Sequence, residues 1–177
     1  MRNRTISANT QQRSAPIKPY PWYYRPLHWL LMGLAYLPYP VLYLLADFLY
    51  VLLVYVVRYR KKVVVANLRN SFPEKSAAEI ERIAKGFYRH FADVIVEILK
   101  LAAMLDAELK QRVTFRNPEV LERFFEEGRM AIGLASHAGN WEWVLTSGAI
   151  WLSAEVDGVY KPLSNPFFES FMCELRT

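Results

Sequence analysis

Residues 41–57 read VLYLLADFLYVLLVYVV, an apolar run with one charge, Asp47, that stops abruptly at Arg58-Tyr59-Arg60-Lys61-Lys62. As a helix rising about 1.5 Å per residue, the run reaches about 25 Å, slightly short of a hydrocarbon core of about 30 Å. Two arrangements satisfy that length. Either the helix just spans a bilayer, or it enters as a re-entrant hairpin with Leu27–Leu37, from which Pro38 and Pro40 separate it. Tyr and Trp side chains near the ends (Trp22, Tyr23, Tyr24, Trp29, Tyr36, Tyr39, Tyr55, Tyr59) suit a headgroup zone. No small-residue cleavage site follows the run, so it does not read as a removable signal peptide.

The charge distribution agrees. Residues 1–62 hold nine basic residues against one acid, whereas the remainder holds 13 against 16. A basic segment that is also the most apolar third of the chain fits a membrane surface, where cations meet anionic headgroups. It does not fit nucleic acid, because the bases flank a greasy segment instead of lining a polar face. One cysteine, Cys173, excludes a disulfide framework.

Three parts follow. Residues 1–26 are a polar arm with Pro16, Pro19, Pro21 and Pro26 and little expected regular structure; residues 27–62 are the anchor helix or hairpin with its basic stop; residues 63–177 are an α/β domain. In that last part, Ser76 and Glu79 form a capping box, and Ile80, Ile83, Phe87, Phe91, Val94, Ile95, Ile98 and Leu101 recur at three- and four-residue steps. They predict a long helix, to about Ala102, whose apolar face packs on a sheet and whose Arg82, Lys85, Arg89 and Lys100 face water. Val113–Phe115 is a short strand candidate. Asn117-Pro118 and Gly128 bracket a helix, and Met130–Ser136 is a continuous apolar run of the kind found in strands buried on both faces of a parallel sheet. Asn140–Ile150 reads as helix, Val156–Tyr160 as strand, and Asn165-Pro166 opens a final helix. The expected fold class is therefore α/β: a membrane-associated helix followed by a domain with a mostly parallel sheet, with His137 at a strand's carboxyl end, where such sheets bind ligands.

The segment Ser136-His-Ala-Gly-Asn-Trp-Glu142 carries the chemistry. A histidine leaving a strand, with a carboxylate five residues on across a Gly-Asn turn, can be oriented by that carboxylate and serve as a general base. No serine or cysteine completes a triad: Ser136 directly precedes the histidine, and Cys173 lies on an amphipathic helix. The pair suits a reaction whose nucleophile is a substrate hydroxyl.

The chain here resembles the glycerolipid acyltransferases, with their His-x4-Asp/Glu motif, and within them the late acyltransferases of lipid A biosynthesis. Three further blocks carry the resemblance: Arg60–Leu68 with Phe72-Pro73, Phe87-Tyr-Arg-His-Phe-Ala-Asp93, and Val159-Tyr-Lys-Pro162 with Asn165-Pro166. It extends from about residue 27 to the end, and implies the N-terminal half of a glycerolipid-acyltransferase-like domain, since family members continue with more strands and a further glycine-rich block.

The resemblance implies that His137 deprotonates a hydroxyl of a lipid A precursor, which attacks an acyl thioester on acyl carrier protein, and that Glu142 orients His137. It implies a basic residue beyond the Asn-Pro block, here Arg176, for phosphate or the developing oxyanion. Tyr160, Lys161 and Asn165 are expected to line the acceptor site, with backbone N–H groups of Gly139 and Asn140 as oxyanion donors. Neither a metal nor an organic cofactor is implied. Expected partners are acyl carrier protein, the lipid acceptor and membrane lipids, with the domain on the cytoplasmic face of the inner membrane. The alternative is an inactive membrane-associated remnant of such an enzyme.

Overall fold

The computed structural model describes residues 20–156 and 158–176. The chain divides into two compact units, one of Leu34–Lys100 and one drawn from the segments before and after it. Of the polar arm expected over residues 1–26, residues 1–19 lie outside the described residues. From Trp22 to Tyr24 the chain already makes a 3₁₀ turn, and α1 (Arg25–Ala35) follows. Pro26 is compatible with that start because the first turn of a helix needs no N–H from it.

In the unit Leu34–Lys100, α2 (Tyr39–Val51) runs on through a π-helical turn, Leu52–Val56. Together these 18 residues are long and apolar enough to cross a membrane, by length and composition, and only 17% of them are buried within the protein. One face of α2 packs through Leu42 and Ala46 onto Ala92 and Val96 of α4 (Ala77–Lys100), all four with at most 1% exposure. The other face presents Val41, Leu44, Phe48, Val51 and Tyr55 to the outside, at alternating three- and four-residue steps that make one apolar stripe. α3 (Lys61–Ser71) also packs on α4.

The capping box starts α4. Ser76 N–H donates to Glu79 Oε2 at 2.9 Å, and Glu79 N–H donates to Ser76 Oγ at 3.4 Å. Ile80 and Val94 of the expected apolar face of α4 are buried, but the main buried stripe is shifted from the expected one. It runs Ile80, Ala84, Tyr88, Ala92, Val96 and Leu99 and faces a helix, whereas Phe87 is 43% exposed and stacks on Phe91, which stacks on Tyr59. Ala92 and Ala46 stand at the α2–α4 contact, where short side chains let two helices approach closely. Lys100 is not solvated as expected. It is buried, and its Nζ donates to the carbonyls of Ala35 (3.1 Å) and Leu37 (3.0 Å), satisfying acceptors left open where α1 ends. Arg89 remains exposed but pairs with Asp47 at 3.2 Å and lies over the Tyr50 ring.

Because Ala92 has no exposure, an Ala92→Leu substitution is expected to overpack the α2–α4 contact at a cost of about 1–3 kcal/mol. A lowered denaturant midpoint with unchanged slope would register it.

The second unit holds most of α1, then α5 (Asp106–Arg112), α6 (Glu119–Glu126), α7 (Trp141–Trp151) and α8 (Pro166–Arg176). The expected brackets of α6 are present: Asn117 (φ 56°) precedes it, and Gly128 (φ 70°) ends it with its N–H on the Phe125 carbonyl at 2.9 Å. Around α8, Phe167 is fully buried among Tyr20, Tyr24 and Phe171.

The expected α/β class is overturned. The structure is 69% helix, and no strand occurs among the described residues. The described residues of the three strand candidates, which exclude Asp157 of the third, are extended or irregular and form no ladder. The Val113 carbonyl accepts from Trp151 Nε1–H at 2.9 Å, and Met130, Ile132 and Leu134 are 97%, 92% and 95% exposed. A helix satisfies its backbone from within its own segment, but a strand takes every hydrogen bond from a neighbour. An apolar run such as 130–136 therefore cannot specify a strand alone.

Candidate functional site

The candidate site lies wholly in the second unit, where two helix starts and one helix end converge. α7 begins at Asn140, whose side-chain oxygen accepts from Trp143 N–H at 3.1 Å, the cap expected of an Asn in that position. Gly139 precedes it with φ 60°, a left-handed turn that a side chain would strain. The turn leaves His137 exposed, its ring 4.8 Å from that of Trp141.

Glu142 is on the opposite, buried side of the first turn of α7, with 4% exposure. Its carboxylate holds Arg176 from the last turn of α8 in a two-pronged ion pair: Nε–H donates to Oε2 at 2.8 Å and Nη2–H to Oε1 at 2.6 Å. Trp141 Nε1–H donates to Oε1 at 3.1 Å. Among the described residues, the His137 imidazole is not one of the groups bonded to this carboxylate. The structure thus brings together Glu142 and Arg176, which the sequence reading placed in separate roles. These hydrogen bonds raise the Arg176 pKa further above its ordinary value, so the guanidinium stays charged.

Tyr160 is near the same guanidinium, which lies over its ring at 4.7 Å. Its hydroxyl contacts Cys173 Sγ at 3.3 Å and donates to Glu169 Oε1 at 2.8 Å, and these bonds raise the phenol's pKa so that it stays protonated. Lys161 is exposed on the extended segment that follows. Asn165 caps α8, its Oδ1 accepting from Phe167 N–H at 2.9 Å and Phe168 N–H at 3.3 Å.

Two residues were missed by sequence reasoning. Trp141 flanks both His137 and Glu142, and Glu169 ties down residues 160–163 by accepting from Leu163 N–H at 2.7 Å as well as from Tyr160. A signal for Glu169 existed in its place on the first turn of α8, three residues after Pro166. The Leu163 amide, then Tyr160, hold its carboxyl below the usual carboxylate range. A depressed carboxylate pKa stabilises the fold above the unfolded value, and that contribution is lost as pH falls through the folded value. Hydrogen exchange at the Leu163 amide is therefore expected to be protected near neutrality and to lose protection on acidification, with Glu169→Gln removing the pH dependence.

The comparison with protein families matches residues 17–177 to bacterial lipid A biosynthesis acyltransferases. The chain belongs to that family. It is accordingly an acyltransferase whose acceptor is a lipid. No curated protein and no solved structure matches it. The candidate site offers an exposed imidazole at a turn, a buried ion pair on the first turn of the helix that follows, and a tyrosine and lysine on another segment of the same unit. Among the described residues, no group of three or more His, Cys, Asp or Glu side chains could hold a metal ion.

Proposed function

We propose that the protein transfers a fatty acyl chain directly from an acyl carrier protein thioester to a hydroxyl of a lipid A precursor, with His137 as general base. The observation that carries this reading is the exposed His137 ring at the turn that opens α7, in a chain of this family. The imidazole takes the proton of the acceptor hydroxyl as its oxygen attacks the thioester carbonyl. The C–S bond then breaks, and the departing thiolate receives the proton from the imidazolium. Glu142 orients and charge-stabilises His137. Its Oε2 accepts one bond from Arg176 and keeps acceptor capacity for an imidazole N–H. Arg176 holds Glu142 in place through their two-pronged pair, and its remaining N–H groups, with the backbone N–H groups of Gly139 and Asn140, serve the oxyanion or an acceptor phosphate. Tyr160, Lys161 and Asn165 line the acceptor side.

The protein works at the cytoplasmic face of the inner membrane. The exposed stripe Val41, Leu44, Phe48, Val51 and Tyr55 supports a seat on lipid, and the covered face of α2, with the Asp47–Arg89 pair beside it, favours an embedded or re-entrant helix over an isolated span. The basic turn after it favours the cytoplasmic side.

Purified protein offered an acyl-carrier-protein thioester and a lipid A precursor should yield the acylated lipid with one equivalent of free thiol, detected by mass spectrometry. Transfer from acyl coenzyme A alone would refute the donor assignment. Cys173, the single cysteine, reports sidedness: an impermeant maleimide should label it only after cells are lysed.

A further inference from the structure

The unit Leu34–Lys100 carries a cleft of about 330 Å³ that the acyl-transfer chemistry does not use. That volume is within the usual range of small-ligand sites, about 300–1,000 Å³. Its floor is apolar, from Val54, Val65, Ala84 and the buried Tyr88, and its cations are Arg58, Lys61 and Lys85. Glu81 is the one acid among the lining residues, and it is bound to Lys85 at 3.4 Å. The cleft therefore has an excess of positive charge over a greasy base.

Local backbone structure adds to that field. α3 starts at Lys61 with no side-chain cap and no acid in its first turn. Lysines at 61 and 62 thus stand at the positive end of a helix dipole, a placement that costs stability unless an anion is nearby. The turn leading into α3 holds two arginines in left-handed conformations, Arg58 at φ 52° and Arg60 at φ 48°. It is pinned by the Tyr88 hydroxyl donating to the Tyr59 carbonyl at 2.6 Å and by Tyr59 N–H donating to the Leu53 carbonyl at 2.9 Å. Backbone strain of this kind persists where surrounding structure enforces it, commonly at ligand clamps.

Tyr55 joins the cleft to the exposed apolar stripe of α2, since it belongs to both. We infer that the cleft is a binding site for the phosphate headgroup of an anionic membrane phospholipid, with the lipid's acyl chains lying along Val51, Phe48 and Leu44. The inference rests on the membrane reading above and adds a specific lipid seat to it. Charge complementarity favours a phosphate, and the continuity of the apolar stripe favours one that carries hydrocarbon over a free anion.

The test uses the full chain and vesicles of phosphatidylcholine with and without 30% phosphatidylglycerol (about that fraction, to supply surface charge), with binding read by flotation. Wild type should bind the anionic vesicles about tenfold or more tightly than the neutral ones. Arg58→Gln, Lys61→Gln and Lys85→Gln together should remove that preference while leaving binding to neutral vesicles. The charge-matched control Lys110→Gln, Arg116→Gln and Arg129→Gln should keep it. Glu81→Gln should strengthen anionic binding severalfold, a gain that misfolding cannot produce. Equal loss in the control, no gain from Glu81→Gln, or full competition by millimolar glycerol phosphate overturns the lipid site. Failure of wild type to bind either vesicle overturns the membrane reading itself.

Discussion

His137→Ala is expected to lower acyl transfer by about 10²- to 10⁴-fold, the range that a positioned general base supplies. A neutral hydroxyl attacks a thioester slowly until its proton is taken, and His137 is the imidazole at the opening of α7. Its ring is exposed and lies tilted at 49° to that of Trp141, so alanine removes no buried side chain and the fold should persist. The measurement is single-turnover loss of thioester together with gain of acylated lipid at saturating donor and acceptor. Near wild-type turnover would remove His137 from the chemistry. Cys173→Ala should leave turnover largely intact; an acyl adduct trapped on the wild-type thiol would instead establish a covalent route.

The second large effect is on stability. Arg176→Met leaves the Glu142 carboxylate, with 5% side-chain exposure, without its counter-charge, and breaking a buried pair from one side costs about 3–5 kcal/mol. For a chain of this length that lowers the thermal midpoint by about 6–20 °C. Adding Glu142→Gln to Arg176→Met should recover most of the loss, because the unpaired charge is gone. A single substitution that costs under about 1 kcal/mol, or a double variant no better than the single, would mean that the pair is solvated and contributes as surface pairs do. The recovered double variant also separates roles. It should fold yet remain slow in transfer, since the proposed orienting carboxylate is absent.

The helices were legible wherever a local signal fixed a start or an end. Ser76 and Glu79 announced α4, and Asn140 and Asn165 opened α7 and α8, because a cap is a bond between residues two or three apart and needs no partner from elsewhere, while α6 starts after Asn117-Pro118 without a side-chain cap bond and ends at Gly128. The 41–57 run likewise announced its length and apolarity. The strand assignments at 113–115, 130–136 and 156–160 failed for the opposite reason, as their hydrogen bonds depend on a neighbouring strand that composition cannot supply.

Residue types in the candidate site were visible in the sequence, and so was the family they resemble. What the sequence alone determined is the chemistry available: a histidine at a turn, a carboxylate in the next helical turn, a basic residue near the end of the last helix. Only the tertiary structure decided which charges meet. It joined Glu142 to Arg176 across 34 residues of chain, turned the apolar contact of α4 onto Ala46 and Leu42 of α2, and drew Lys100 inward to the carbonyls of Ala35 and Leu37. Each is a choice among several chemically equivalent partners, and only the packing of distant segments selects one, because burial makes an unpaired charge or carbonyl costly wherever it falls.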